Sequence, residues 1–152
     1  MSRSRERVVY PPMYWVAGLV AEYFIHRSFS TPVVIPKPYG YGGAVLFVVG
    51  IAMLLWVARR FRQAETTIRP FENSSELVTD GLFRFSRNPG YVGMVVSLAG
   101  AAVYFGSAFV WIPVLAVAVA VDIRFIRAEE RMLRKTFGDP YDEYCRKVRR
   151  WV

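Results

Sequence analysis

Cysteine and histidine are almost absent from this chain. Cys145 is the single cysteine and His26 the single histidine among 152 residues. One thiol cannot close an internal disulfide, and one thiol with one imidazole cannot build a zinc cluster or a two-histidine metal centre. The sequence therefore predicts no metal site. Any catalysis must draw on carboxylates, arginines, tyrosines and asparagine, or on a cofactor that brings its own reactivity. Charge is also missing, over residues 91–121. One helix needs only about 20 apolar residues to cross the hydrocarbon of a bilayer, so an uncharged run of roughly thirty reads as a hairpin of two helices.

Apolar and aromatic residues are plentiful: 54% of the chain is hydrophobic and 16% aromatic. That composition points to lipid as the solvent. Helices are expected near 13–25, 41–58, 91–104 and 108–125, giving an all-α, polytopic membrane protein with about four transmembrane helices. The formal charge of +8, from 20 Lys and Arg against 12 Asp and Glu, follows that topology. Arg3, Arg5, Arg7, the basic residues of 59–87 and those of 127–150 share one side, and Arg27 and Lys37 face the other. By the positive-inside rule both termini are cytoplasmic. The excess of positive charge thus reports topology and attraction to anionic membrane lipids, and nucleic acid is not implied. Glu22 interrupts the first apolar run and no small-x-small cleavage site follows, so that run reads as a helix and not a signal peptide.

No internal repeat or low-complexity tract divides the chain, and residues 1–152 read as one domain. Gly42, Gly43, Gly50 and Ala52 on the second helix allow close contact with a neighbouring helix or a ligand, within one chain or in a dimer. "YGYGG" has no strand before it and reads as a helix entrance. A polar stretch, 63–87, carries Thr66, Thr67, Pro70, Asn73, Ser74, Ser75 and the turn Thr79, Asp80, Gly81; a connection of that length is usually functional or disordered. Phe105, Gly106 and Ser107 form the tight outer turn of the hairpin. The fourth helix continues as a charged amphipathic stretch over 122–136 until Gly138, and Asp139 with Pro140 begins another.

Three clusters carry chemistry. Arg84, Arg87, Asn88 and Tyr91 in "SRNPGYVG" and just before it gather where Pro89 starts a helix. A helix start offers unpaired N–H groups and positive potential, to which arginine and asparagine add directed donors for a carboxylate or phosphate. Arginines snorkelling to headgroups and an Asn88 helix cap account for the same residues. Glu129 and Glu130 form the second cluster. Adjacent helical residues diverge by about 100°, so the two do different work. Glu130, with Arg127 three before and Arg134 four after, fits a solvated ion-pair ladder. Glu129 shares a face with Asp122, Phe125 and Leu133 and fits a site facing the bundle, or a structural pair. Glu22, one turn from His26, fits a local pair. The third cluster, "FGDPYDEYCRKVRRW", fits an amphipathic helix on the membrane surface and equally a lid over a cofactor.

In this order and spacing, "LVTDGLFRFSRNPGYVG", an apolar hairpin and "EERMLRKTFGDPYDEYCRKVRRW" resemble the isoprenylcysteine carboxyl methyltransferase and phospholipid methyltransferase superfamily of integral membrane enzymes. The resemblance covers about half the chain, residues 67–151. It implies S-adenosylmethionine as cofactor, held at a cytoplasmic site between the loop before the third helix and the C-terminal helices. Carried over position by position, it implies cofactor contacts from Arg87, Asn88, Pro89, Tyr91, Gly93, Glu129 and Glu130. Catalytic roles fall to Arg87 and Glu129, with Arg84 to hold an anionic acceptor. Asn88 replaces a histidine common in the family, so a protonatable ring has no role at that position. The family's Gly-x-Gly element has its nearest counterpart in Gly50, Ile51, Ala52, which makes Gly50 a further cofactor candidate. The implied substrate is a lipophilic small molecule or lipid, such as an isoprenylcysteine carboxylate, entering from the bilayer. Two alternatives stand beside this: an NADPH-dependent membrane reductase of sterol-reductase type, and a non-enzymatic membrane scaffold.

Overall fold

The structure, a computed structural model, describes residues 10–30, 32–63 and 77–152. Arg3, Arg5, Arg7, Thr66, Thr67, Pro70, Asn73, Ser74 and Ser75 lie outside the described residues. Six α-helices follow in order: α1 (Pro11–Ser28), α2 (Tyr41–Gln63), α3 (Pro89–Phe105), α4 (Trp111–Val121), α5 (Arg127–Phe137) and α6 (Asp139–Lys147). Short 3₁₀ turns at Gly81–Arg84 and Ala108–Val110 lead into α3 and α4, and a π-turn, Asp122–Ile126, joins α4 to α5. No strand occurs among the described residues, only an isolated antiparallel bridge between Val33 and Ser107.

Local chemistry accounts for the helix ends. Pro11, Pro89 and Pro140 sit in the first turns of α1, α3 and α6, where a missing N–H costs nothing and the fixed φ suits the helix. α3 stops at Gly106, whose φ of 71° is left-handed, and its N–H bonds back to the Ala102 carbonyl. A Cβ there would collide with the carbonyl oxygen of Ile35. The tight outer turn expected at Phe105, Gly106, Ser107 is therefore present.

The bundle has two seams. Between α2 and α3, glycines bring the backbones together: Gly43, Gly50 and Val57, seven apart, are the buried positions of α2. A Cβ on Gly50 would lie 2.5 Å from the Ser97 nitrogen and 2.6 Å from the Gly93 oxygen. Small residues at such a contact let helices associate by close packing, which matters where lipid removes the hydrophobic drive. The second seam joins α1, α3 and α4 around Leu98, Ala102, Val110, Val114, Val117, Val121 and Phe125, with Tyr14, Trp15 and Leu19 packed on it. Trp15 donates to the Ser97 hydroxyl (2.8 Å), tying α1 to α3.

α2 and the long helix Ala108–Phe137 are each long and apolar enough to cross a membrane, and α3, also apolar, has 17 residues. At 1.5 Å per residue α3 is about 25 Å long. α1 carries Glu22, fully buried, with no hydrogen-bond partner for either carboxyl oxygen among the described residues. This corrects the expected Glu22–His26 pair. The His26 ring stacks on Phe105, and its Nδ1 meets the Ser107 hydroxyl at 3.2 Å.

Candidate functional site

The polar residues converge at the end of the bundle opposite Gly106. Leaving the 3₁₀ turn Gly81–Arg84, the chain reaches Asn88, which occupies the position before α3. Its side chain does not cap that helix. Its backbone N–H donates to Ser86 Oγ (3.0 Å), and its amide Nδ2 donates to the carbonyl of Arg150 (3.0 Å). Ser86 Oγ also donates to that carbonyl (3.3 Å), and the Arg87 N–H donates to the Arg149 carbonyl (2.9 Å). Residues from the far end of the chain thus line the entry to α3.

One helical turn on, Tyr91 donates its hydroxyl to Glu129 Oε1 at 2.7 Å. Tyr91 also stacks on Phe125, which meets Tyr14 edge-on. Glu129 therefore faces the bundle and is paired there, an arrangement that both sequence readings, a site and a structural pair, allow.

Glu130 corrects the expected solvated ladder. It is buried and pairs with neither Arg127 nor Arg134. Arg150 grips it with two bonds, Nε to Oε1 at 3.1 Å and Nη2 to Oε2 at 2.7 Å, and Arg87 Nη1 approaches Oε1 at 3.2 Å. Two-pronged arginine–carboxylate contacts are the strong form of this interaction. Arg127 turns instead to Asp122 Oδ2 (2.8 Å) and Arg134 to Asp142 (2.7 Å). Arg150 Nη1 lies 3.7 Å from Asp122 Oδ1, so one ionic chain runs from Arg127 through Asp122, Arg150 and Glu130 to Arg87.

α6 closes the side of the cluster. Tyr141 is buried, Tyr144 donates to the Phe83 carbonyl (2.6 Å), and Cys145 touches Arg87 Nη1. Burial pushes both phenols above their ordinary range, which keeps them neutral donors. The helix ends at Lys147, and Val148 is extended (φ −123°, ψ 133°). Residues 149–151 then fold back over the doorway, so the basic run does not continue as one surface helix. Arg150 and Ser86 were not distinguishable from their neighbours in the sequence. Their importance comes from contacts spanning 62 to 64 residues.

The remaining candidates fall elsewhere. Pro89 is buried as the first residue of α3. Gly93 and Gly50 face each other across the α2–α3 seam, where backbone atoms fill the space a side chain would take. Arg84 is exposed on the 3₁₀ turn and makes no contact with the Arg87–Glu130 cluster among the described residues. Beside the cluster an open groove of about 290 Å³ is lined by Ala118, Val119, Asp122, Ile123, Arg127 and Trp151.

A family model for phospholipid methyltransferases matches residues 39–140, which include the doorway and both glutamates but stop short of Arg150. Probable protein-S-isoprenylcysteine O-methyltransferases of Oryza sativa subsp. indica and subsp. japonica are each 31% identical to this chain over 110 residues. These alignments cover 71% of this chain and 58% of each relative, so the chain spans under two thirds of their length. An uncharacterized protein of Haemophilus influenzae is 31% identical over 62 residues, which is 41% of this chain and 98% of that protein.

Proposed function

Since this chain belongs to the phospholipid methyltransferase family, we propose that it is an integral membrane methyltransferase transferring a methyl group from S-adenosylmethionine to a lipophilic acceptor. Residues 1–152 act as one domain, with the donor-binding half at about 67–151. The chain crosses the membrane four times, keeps both termini in the cytoplasm and holds the donor on that side.

The observation that carries this reading is the meeting of Arg87 and Tyr91, from the start of α3, with Glu129 and Glu130 of α5. A donor bearing a carboxylate, an ammonium and a ribose diol needs both kinds of partner. Arg87 Nε is buried with no hydrogen-bond partner among the described residues, a directed donor suited to a carboxylate. Glu129 is held by Tyr91 through one oxygen and can accept from an ammonium or a diol through the other. Asn88 and Pro89 fix the helix start from which these side chains project. Gly93 and Gly50 set the helix spacing behind them. When bound, the sulfonium supplies an electrophilic methyl group, and the chain needs no metal to activate it. What the residues contribute is orientation, worth roughly 7–11 kcal/mol in favourable cases, and exclusion of water.

The acceptor reaches the site from the bilayer, with its apolar part against the exposed faces of the hairpin. Arg84, at the rim, is assigned to an anionic group on that acceptor. An isoprenylcysteine carboxylate, the acceptor implied by the names of the rice relatives, is one member of this class.

The test is calorimetric binding of S-adenosylhomocysteine to the detergent-purified chain, with NADPH titrated in parallel and Glu129→Ala as control. Saturable binding of the former alone, weakened about tenfold or more in the variant, is the expected result. Binding of NADPH alone would move the protein to reductase chemistry. An acceptor screen that found only water-soluble compounds methylated would overturn the lipophilic assignment.

A further inference from the structure

A helix that must place two adjacent carboxylates into one cluster faces a geometric obstacle, because neighbours diverge by about 100°. Here Glu129 meets Tyr91 while Glu130 meets Arg87 and Arg150. The π-turn Asp122–Ile126 lies immediately before them, and across it the Arg127 N–H bonds to the Asp122 carbonyl five residues back.

A π-turn takes up one residue more than the α-helical turn it replaces. Everything beyond it is turned back by about 100° relative to α4. In an unbroken helix Ala128 would lie where Glu129 meets Tyr91, and Glu129 would take the place of Glu130 between the arginines. The cluster would then hold one carboxylate where it now holds two.

The side chains at the ends of the turn are themselves joined, Arg127 Nε to Asp122 Oδ2 at 2.8 Å. In a regular α-helix residues five apart point about 140° away from each other. The wider turn is what brings these two onto one side, so their ion pair favours the π-turn over the regular helix. Asp122 is anchored a second time, by Arg150 Nη1 at 3.7 Å, and Arg150 holds Glu130.

We propose that Asp122 and Arg127 are positioning residues whose ion pair holds the π-turn, and that this turn presents Glu129 and Glu130 to the cluster together. The inference rests on the donor-site reading above for its functional consequence, while the register it asserts can be measured without any ligand.

Two measurements on the full chain test it. In a Cys145→Ala background, Tyr91→Cys is combined with either Glu129→Cys or Ala128→Cys and treated with a short bifunctional thiol reagent. Cross-linking is expected to favour position 129 when Arg127 is present and to shift to 128 when Arg127→Leu is added. Unchanged preference for 129 in that variant overturns the proposal. In the native-cysteine protein, Arg127→Leu is expected to weaken S-adenosylhomocysteine binding about tenfold, a size ordinary for coupling within one ionic network. Deleting Ile123, whose side chain is exposed, removes the extra residue, so a regular helix alone then keeps the two glutamates in place. The deletion should therefore restore binding to Arg127→Leu. If it folds and does not restore binding, the loss came from charge or stability and the positioning role is wrong. If the unsubstituted protein binds no S-adenosylhomocysteine, the donor reading fails, and the cross-linking result alone decides the register.

Discussion

Asn88 ties the start of α3 to the C-terminal residues through a single amide, its Nδ2 donating to the Arg150 carbonyl at 3.0 Å. The demand on this side chain is for a donor, not for charge. Asn88→His retains a ring N–H and should keep the fold and its unfolding midpoint. Asn88→Asp sets a carboxylate against a carbonyl in a buried spot and should cost about 1–3 kcal/mol, read from chemical unfolding in detergent. Equal midpoints for the two variants would show that the bond carries no weight. Glu130 is a second sensitive position, since it neutralises Arg87 and Arg150 at once. Removing one partner of a buried pair costs about 3–5 kcal/mol. Arg150 is 37% exposed at its side chain and Asp122 lies near it, so Glu130→Ala should fall at the lower end, near 3 kcal/mol. The same unfolding measurement checks it. A loss below about 1 kcal/mol, the range of exposed pairs, would mean that the cluster is solvated in the folded protein.

Among the helices, α1 is set apart by Glu22, which lies on the buried stripe with Gly18 and finds no hydrogen-bond partner among the described residues. An unsatisfied buried polar group costs about 1–3 kcal/mol, so Glu22→Leu should raise the thermal midpoint of the purified protein. A fall would reveal that the carboxyl makes a contact worth more than its desolvation. α2 and α3 could be read from residues alone, because glycine spacing, the Pro89 start and the Gly106 stop are local features with local causes. The register of α5 could not. A regular 3.6-residue period extended through Asp122–Ile126 puts Glu130 beside Arg127 and Arg134 and places Glu129 on the Asp122 face. The π-turn takes Glu129 off the Asp122 face; Glu130 keeps its spacing from Arg127 and Arg134, which share α5 with it, but it pairs with Arg150 while they pair with Asp122 and Asp142. The glutamates were identifiable as candidates by their type and setting, but their partners depend on one extra residue in a turn. The return of residues 149–151 was hidden for a different reason, since carbonyl contacts across more than 60 residues leave no mark in local composition.

Over the whole molecule, charge and apolar surface make a joint statement about orientation. Two helices meet the length and hydropathy needed to span a bilayer, and the four-crossing arrangement proposed above would add α1 and α3 to them. Cysteines placed singly near Arg59, in the turn at Lys37 and after Lys147, in a Cys145→Ala background, test this in sealed vesicles with a membrane-impermeant maleimide. Position 37 should react from the side opposite the other two. Labelling of all three from one side would reduce the number of crossings. The closure of the doorway by the carbonyls of Arg149 and Arg150 also bears on proteolysis. Every helix lies before Val148, and Arg146 and Lys147 are exposed where the last one ends. A cut after Lys147 by a trypsin-like protease would leave each helix whole and detach the residues that grip Glu130 and line the start of α3. Helical content would then survive a cleavage that dismantles the polar cluster, so the two would be lost separately and not together.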